Sequence, residues 1–262
     1  MTEQHDDVLV ATGITKSFAH VRALRGVDLT LRRGKVHALV GDNGAGKSTL
    51  IKILSGALQP DSGEILMEGE PVDIASPETA QHLGIETVYQ DLAVAEALDL
   101  GENIFLGREL LRRGLLGHFG FVDRPAMRER GMEQMQRLGT KVPSPSLPLE
   151  SMSGGQKQAV AVARAAMWGG RVLILDEPAA ALGVRQTAQV LNLVRRSAEE
   201  SNQAVVFISH NVPQILEIAD DITVLHQGRV CLRCAKADAS VDLLVRAMSG
   251  ALDSPADREG TE

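Results

Sequence analysis

The sequence predicts an α/β fold in which buried strands alternate with helices, and three features indicate it. An apolar run at residues 36–40 leads into a glycine-rich loop and then into a helical run at residues 47–58. The runs at residues 172–175 and 204–208 are wholly apolar, as expected of strands covered on both faces. Residues 91–155 differ, because helical segments separated by glycines replace the strand-like runs. We therefore expect an α/β core interrupted by a helical insert.

Composition limits the partners that the chain can have. With 262 residues it can bury one sizeable core and a smaller lobe. A net charge of −7 and an aromatic content of 3% argue against a nucleic-acid partner. Residues 1–7 are acidic and polar, unlike a secretory signal, and no apolar run reaches the roughly 18 residues that span a bilayer. We expect a soluble chain that is still able to dock on a membrane protein.

The N-terminal part carries short segments that predict an antiparallel β lobe. One of them, residues 27–31, alternates apolar and polar residues, as a half-exposed antiparallel strand does. Ser76 followed by Pro77 is typical of a helix start, and residues 85–89 predict a strand that ends at Gln90. The β-like segments of this lobe lie at residues 8–11, 23–24 and 27–31, and at residues 64–69 and 70–74, which predict a hairpin.

Helices predominate in the insert, and the α/β pattern returns after it. In the helix predicted at residues 123–138, Met132, Met135 and Leu138 repeat at helical spacing, which favours core packing over a cofactor site. Further segments are helices at residues 156–168 and around Ala188, Leu191, Val194 and Ala198, and a hairpin of residues 222–225 and 229–232. We expect one domain at residues 8–250, with the core at residues 8–90 and 156–250, the helical part at residues 91–155, and a disordered tail at residues 251–262.

The most informative motif is a phosphate-binding loop between the first buried strand and its helix. It fits the pattern G-x-x-x-x-G-K-[ST] and consists of Gly41, Asp42, Asn43, Gly44, Ala45, Gly46, Lys47, Ser48 and Thr49. Its glycines let backbone N–H groups point at an anion, and the helix start adds its dipole. Lys47 supplies a charge for the outer phosphates, and the Ser48 hydroxyl can ligate Mg²⁺. The alternative is a simple glycine turn, but the flanking strand and helix favour a nucleotide site.

Two other buried strands end in residues that can serve such a site. Asp176 and Glu177 follow one strand, and His210 follows the next. Asp176 can hold Mg²⁺, and Glu177 can polarise a water molecule for attack on a γ-phosphate. Alone, the two acids would be strand-capping residues and the histidine would be structural. Brought beside a phosphate loop at one edge of a sheet, they favour catalysis.

A second anion site is predicted at the start of another helix. It consists of the small and polar residues Ser153, Gly154, Gly155 and Gln156. Two phosphate sites in a chain with one nucleotide loop predict a dimer in which each chain completes the site of the other. The pair Cys231 and Cys234 lacks the second pair of a structural zinc site, so we interpret these cysteines as small packed residues.

Taken in order, these motifs resemble the ATPase subunit of an ABC transporter over about residues 8–250. The resemblance implies a RecA-like P-loop NTPase core with an antiparallel β subdomain and an inserted α-helical subdomain. It also implies two subunits that sandwich two ATP molecules with Mg²⁺. Glu177 would be the general base, His210 would hold the γ-phosphate, and Gln90 would contact Mg²⁺ and the attacking water. The metal ligands would be Ser48, Gln90 and Asp176.

The resemblance assigns two further contacts to the nucleotide. Ser153 and Gly155 would reach the γ-phosphate of the ATP held by the opposite chain. Phe18 would lie against adenine, although it can equally be a packing residue of the β lobe. Met152 stands where many relatives have Leu, and Ala180 and Gly183 stand where most have Ser and Asp.

A closer resemblance is to the ATPase subunits of bacterial monosaccharide importers of the ribose, xylose and fructose type. It rests on residues 88–93, 102–109 and 180–184. It implies an integral membrane permease as partner, a periplasmic or extracellular sugar-binding protein as an indirect partner, and a peripheral place on the cytoplasmic side of the inner membrane. Many such relatives carry two ATPase halves, whereas this chain carries one phosphate loop, so we expect it to pair with a copy of itself.

Other classes remain as alternatives. A soluble ABC ATPase can act on ribosomes, DNA or iron–sulfur assembly, but ribosome-acting members usually carry two halves and repair members carry a long coiled-coil insert. An exporter of lipid or peptide is disfavoured by the residues around Gln90. A phosphate-loop kinase would not need the residues at 153–156.

Overall fold

The computed structural model describes residues 6–90, 93–140, 142, 144–180 and 182–253, which form two β-sheets with helices packed around them. Strands in this part of the chain are β1 (Asp7–Phe18), β2 (Val21–Arg32), β3 (Val36–Val40), β4 (Ser62–Met67), β5 (Glu70–Pro71), β6 (Ile85–Val88), β7 (Val172–Asp176), β8 (Ala204–Ile208), β9 (Asp221–His226) and β10 (Arg229–Ala235). The α-helices are α1 (Lys47–Leu54), α2 (Pro77–His82), α3 (Leu100–Ile104), α4 (Leu115–His118), α5 (Arg124–Arg137), α6 (Gly154–Trp168), α7 (Val184–Ser201), α8 (Val212–Ile218) and α9 (Val241–Met248).

The larger sheet has six strands in the order β10-β9-β3-β8-β7-β6. Its neighbours pair in parallel, except that β9 and β10 form an antiparallel hairpin. Every residue of β3 and β8 is buried, as are the four apolar residues of β7. The predicted apolar strands and the C-terminal hairpin are therefore confirmed. Because β3, β8 and β7 are parallel neighbours, their carboxyl ends lie at one edge of the sheet.

The smaller sheet is antiparallel and has the order β2-β1-β4-β5. The predicted hairpin of β4 and β5 is confirmed, but β1 and β2 are 12 residues each and far longer than the short predicted runs. Register shifts interrupt the pairing of β1 with β2 at several places, one of them beside Gly13. Gly13 and Gly26 both take a positive φ, and Gly13 N donates to the Asp28 carboxylate at 2.7 Å. Such bulges break the alternation from which strand length was predicted.

Helices α3, α4 and α5 lie in the segment between β6 and α6. Asp123 caps α5 through a bond from Ala126 N at 3.2 Å, and Met135 and Leu138 are buried, so the predicted helix and its packing face are confirmed. A hydrogen bond joins this segment to α6, in which Trp168 Nε1 donates to the Ile104 carbonyl at 2.7 Å. In the described part of this segment, the β structure is an isolated bridge rather than a strand.

Helix α7 departs from the predicted burial pattern. Leu191, Val194 and Ala198 are buried as expected, whereas Ala188 is exposed. Full burial along α7 begins only at Val190, because residues 184–189 are exposed or half-buried. Farther along the chain, Ala251–Asp253 forms a short 3-10 helix, and the rest of the predicted disordered tail lies outside the described residues. None of the helices in the described part of the chain is both long enough and apolar enough to cross a membrane.

His37 is a buried histidine in the centre of the larger sheet. It is 7% exposed, and its Nε2 lies 2.9 Å from Thr223 Oγ1. Burial lowers the pKa of His37 to about 4, although the nearby Asp221 carboxylate opposes the shift. The folded protein therefore holds this imidazole in its neutral form at neutral pH.

We expect His37 to make the protein less stable in mild acid. The unfolded chain takes up a proton near the ordinary pKa of 6.5, and the folded chain does so only near about 4. The free energy of unfolding should therefore fall by about 3 kcal/mol from this group as the pH drops through that window. Denaturant unfolding at several pH values measures the slope. An identical slope in the variant His37→Leu, which cannot titrate, contradicts the assignment.

Candidate active site

The phosphate-binding loop connects β3 to α1 and depends on close backbone approaches. A Cβ on Gly41 would lie 2.3 Å from the Leu225 carbonyl oxygen, and one on Gly46 would lie 2.7 Å from the Ala23 carbonyl oxygen. Gly46 also takes a φ of 107° as the residue before α1. Glycine is therefore required at both positions, and the loop is packed between β2 and β9.

Lys47 is held across this loop. Its Nζ donates to the carbonyl oxygens of Gly41 at 2.6 Å and of Asp42 at 3.0 Å. Burial lowers the pKa of Lys47, and the negative charges of Glu177 and Asp176 oppose that shift. The ammonium group thus lies within electrostatic reach of the two acids at the end of β7.

An open cavity of about 490 Å³ lies against the loop. The end of β1 and the start of β2 form its opposite wall, where Phe18 is 47% exposed and lies beneath Lys16 Nζ at 5.9 Å from the ring centroid. The structure therefore brings Phe18 to the same cavity as the loop. Its lining comprises Phe18, Val21, Arg22, Ala23, Arg25, Asn43, Gly44, Gly46, Lys47, Ser48, Thr49 and Gln227.

The polar residues at the ends of β7 and β8 meet beside the loop. Asp176 is paired in register with Ile208, and Glu177 N donates to the Ile208 carbonyl at 3.0 Å. His210 Nδ1 lies 2.7 Å from Glu177 Oε1. Glu177 has a φ of 52°, a left-handed conformation that costs a non-glycine residue about 1–2 kcal/mol. Such strain is typical of functional sites, because the fold must hold the residue in place.

Carboxylates and ammonium groups lie close together at this edge of the sheet. Burial and the adjacent Glu177 carboxylate raise the pKa of Asp176, while Lys47 and Lys52 oppose the shift. Gln90 is exposed and lies just beyond β6, the strand next to β7. The preceding residue, Tyr89, is held by a hydrogen bond in which its Oη donates to Ser55 Oγ at 2.9 Å.

Oxygen donors at this edge match the preferences of Mg²⁺. The exposed Ser48 hydroxyl and the half-buried Asp176 carboxylate are hard ligands, and Mg²⁺ usually takes one or two carboxylates together with phosphates and waters. Within the described ranges, no cluster of three or more His, Cys, Asp or Glu side chains could form an all-protein metal cage.

The second predicted anion site lies at the start of α6. Ser153 caps this helix in a capping box, with its N–H donating to Gln156 Oε1 at 2.9 Å and its Oγ accepting from Gln156 N at 3.4 Å. Ser153 and Gly154 are exposed, whereas Gly155 is partly covered by Gln186. None of these residues lines the cavity beside the phosphate loop. A single chain therefore does not bring the two predicted phosphate sites together.

Sequence reasoning missed several residues of the cavity. Val21, Arg22, Ala23 and Arg25 line it from β2, and Gln227 lines it from the turn between β9 and β10. They belong to no motif, and they meet the loop only because both sheets converge there. Two hydrogen bonds show this convergence, since Gly228 N donates to the Ala45 carbonyl at 2.9 Å and Arg25 N donates to the Gly228 carbonyl at 2.8 Å.

Comparison with known proteins agrees with this architecture. The ABC transporter family model matches residues 24–180. The fructose import ATP-binding protein FrcA of Rhizobium meliloti is 42% identical over 252 residues, which cover 95% of this chain and 96% of the relative. The ribose import ATP-binding protein RbsA 1 of Rubrobacter xylanophilus is 48% identical over 93% of this chain, which spans about half of that relative, 47%.

Solved structures share the fold. The ADP conformation of an ATP-binding cassette of an ABC transporter superposes with a TM-score of 0.77 at 22% identity, covering 97% of each chain. A dimeric bacterial ABC transporter cassette has a TM-score of 0.71 at 22% identity, covering 87% of this chain and 98% of that one. The chain therefore belongs to the ABC transporter family, as an ATP-binding ATPase domain. Its α/β fold is that of a P-loop NTPase, which confirms the fold class predicted from the sequence.

Proposed function

We propose that this ATPase energises the import of a monosaccharide through a membrane permease. The contact of 2.7 Å between His210 Nδ1 and Glu177 Oε1, next to the phosphate loop, carries the assignment of hydrolysis. The names of the fructose and ribose relatives support sugar import. In this proposal residues 8–250 act as one ATPase domain, in which residues 91–155 are the helical part.

The loop from Gly41 to Thr49 would hold the phosphates of ATP, and the Phe18 ring would lie against adenine. Lys47 would exchange two neutral carbonyl acceptors for charged phosphate oxygens, which form stronger hydrogen bonds. The cavity of about 490 Å³ between the loop and the β1–β2 hairpin supports this orientation. ATP would thus lie with its γ-phosphate toward Glu177.

Glu177 would act as general base in hydrolysis. Its carboxylate would accept a proton from a water molecule whose oxygen forms a bond to the γ-phosphorus, while the bond from that phosphorus to the bridging oxygen of ADP breaks. ADP and inorganic phosphate are the products. His210, hydrogen bonded to Glu177, would hold the γ-phosphate, and Gln90 would orient the attacking water.

Mg²⁺ would be held by Ser48 and Asp176, with Gln90 as a further ligand. When bound it would neutralise charge that develops on the phosphate oxygens. The raised pKa of Asp176, caused by burial and by Glu177, supports this assignment, because a cation at that carboxylate would offset both effects. The two acids thus have different roles, because Asp176 would bind Mg²⁺ and Glu177 would accept the proton of the attacking water.

A second copy of the chain would complete the site. Ser153, Gly154, Gly155 and Gln156 start α6 away from the cavity of their own chain, so their phosphate would belong to the opposite chain. Ala180 and Gly183 flank the loop before α7, where the exposed Val184 offers an apolar contact to a partner. We infer a head-to-tail dimer with two ATP molecules between its subunits.

The remaining partners follow from the sugar importers that the chain resembles. An integral membrane permease would receive the motion of the dimer, and a periplasmic or extracellular sugar-binding protein would deliver the substrate. The chain would then lie peripherally on the cytoplasmic side of the inner membrane. No nucleic-acid partner forms part of the proposal.

Reconstitution tests the transport assignment. The chain would be combined with its permease and sugar-binding protein in proteoliposomes, and uptake of labelled ribose, xylose and fructose would be measured with ATP. We expect uptake of at least one pentose or hexose that requires ATP and is lost without the chain. ATP hydrolysis that continues without ATP-dependent uptake of any monosaccharide contradicts the sugar-import assignment while leaving the ATPase intact.

A further inference from the structure

Exposed apolar side chains gather in one short segment of the chain. Six of the thirteen large hydrophobic side chains that are exposed in the described residues lie between residues 106 and 121. They are Leu106 (46% exposed), Leu111 (53%), Leu115 (79%), Leu116 (48%), Phe119 (74%) and Phe121 (54%). Scattered exposed hydrophobic residues are ordinary, but a gathered set marks an interaction surface.

The backbone of this segment is held in place, although six of its apolar side chains are exposed. Leu111 and Val122 form an antiparallel bridge, and Arg112 N donates to the Phe121 carbonyl at 2.8 Å. Next to this bridge, Leu110 and Val122 pack against the main hydrophobic cluster. We use the name apolar protrusion for residues 111–122, which begin and end at the bridge and contain the helix α4. No residue of α4 is buried, so the fold presents this helical turn to its surroundings.

The protrusion is basic, whereas the whole chain is acidic. Residues 111–122 contain two arginines and no aspartate or glutamate, while the chain has a net charge of −7. Arg112 and Arg113 are exposed, and neither side chain has an ion-pair partner among the described residues. They stand directly beside the exposed leucines and phenylalanines. The surface thus joins unpaired positive charge to unburied apolar area.

We propose that the apolar protrusion inserts into the interfacial region of a bilayer that contains anionic lipid. Leucine and phenylalanine side chains lie favourably at the boundary of the acyl chains, and guanidinium groups pair with lipid phosphates. A protein groove that binds a helix needs anchors spread over two turns, and α4 has four residues. A fluid anionic surface instead accepts a short apolar turn with flanking arginines without shape complementarity.

This contact would be separate from the ATP site. The protrusion contributes no residue to the cavity beside the phosphate loop. Its variants should therefore leave the basal ATPase activity of the chain without vesicles unchanged. That activity, measured in parallel, separates a failure of this proposal from a failure of the proposed hydrolysis.

Vesicle co-sedimentation of the full chain tests the proposal. The probes are vesicles of phosphatidylcholine alone and of phosphatidylcholine with an equal amount of phosphatidylglycerol. We expect the wild-type chain to bind the anionic vesicles. The double variant Phe119→Ser with Phe121→Ser should reduce the partition coefficient about tenfold or more. The double variant Arg112→Gln with Arg113→Gln should lose on the order of tenfold at low salt, and wild type should lose a similar factor at high salt.

The matched control is the double variant Val241→Ser with Val245→Ser on α9, which removes two other exposed apolar side chains, 54% and 51% exposed. It should bind vesicles as wild type does. Any of three results overturns the proposal: the wild type does not bind anionic vesicles, it binds both lipid compositions equally, or the phenylalanine variant binds as well as the wild type. Absent vesicle binding, combined with loss of permease-dependent uptake in the phenylalanine variant, also overturns it and identifies the permease as the occupant.

Discussion

Replacing Lys47 with alanine is expected to weaken ATP binding about a hundredfold. The ammonium group already lies over the loop, where its Nζ donates to the carbonyl oxygens of Gly41 and Asp42 at 2.6 and 3.0 Å. Hydrogen bonds from an ammonium group to charged phosphate oxygens contribute about 1.5–3 kcal/mol each, so the loss of one or two of them amounts to about 3 kcal/mol. Titration calorimetry with ATP measures the change in affinity.

Lys52→Ala provides the matched control for this substitution. Lys52 lies on the same helix, α1, and carries the same charge, but it is exposed and lines no part of the cavity beside the loop. We expect the ATP affinity of this variant to stay within about a factor of two of the wild-type value, because salt screens an exposed charge. Equal losses in the two variants would indicate a general charge effect. Unchanged affinity in Lys47→Ala would contradict the assignment of the loop to phosphate.

Sequence patterns located the buried strands well because the constraint on those strands is simple. A parallel strand covered on both faces must be apolar throughout, and the bounds of β3 and β8 match the predicted residues. The half-exposed strands β1 and β2 were predicted too short. Their bulges near Gly13 and Gly26 shift the side chains from one face to the other, so the period of two that marks a strand is lost.

The candidate site was predictable where local chemistry fixes it and unpredictable where packing between distant segments does. The phosphate loop is a contiguous motif, and the positions of Glu177 and His210 follow from parallel strands that end at one edge. Arg22 and Gln227 line the cavity only because a turn of the larger sheet packs against β2. No spacing in the sequence encodes that meeting.

The variant Glu177→Gln is expected to lower the rate of ATP hydrolysis about 10²- to 10⁴-fold, the range that general-base catalysis usually contributes. A glutamine amide has the size of the carboxylate and can keep the hydrogen bond to His210, but it does not accept a proton at neutral pH. ATP binding should be retained or strengthened, because removal of one carboxylate reduces the repulsion of the nucleotide. Phosphate release and ATP titration, measured on the same preparation, give both quantities.

This pair of measurements separates two explanations of the short contact between Glu177 and His210. If Glu177 only anchors the imidazole, glutamine preserves the anchor and turnover should remain near that of wild type, which would contradict the base assignment. If Glu177 takes the proton, turnover falls while ATP affinity does not. Glu200→Gln, at the exposed end of α7, removes a carboxylate remote from the loop and should change neither quantity. Lost turnover with retained affinity therefore assigns the defect to proton transfer, the one step in which an amide cannot replace the carboxylate.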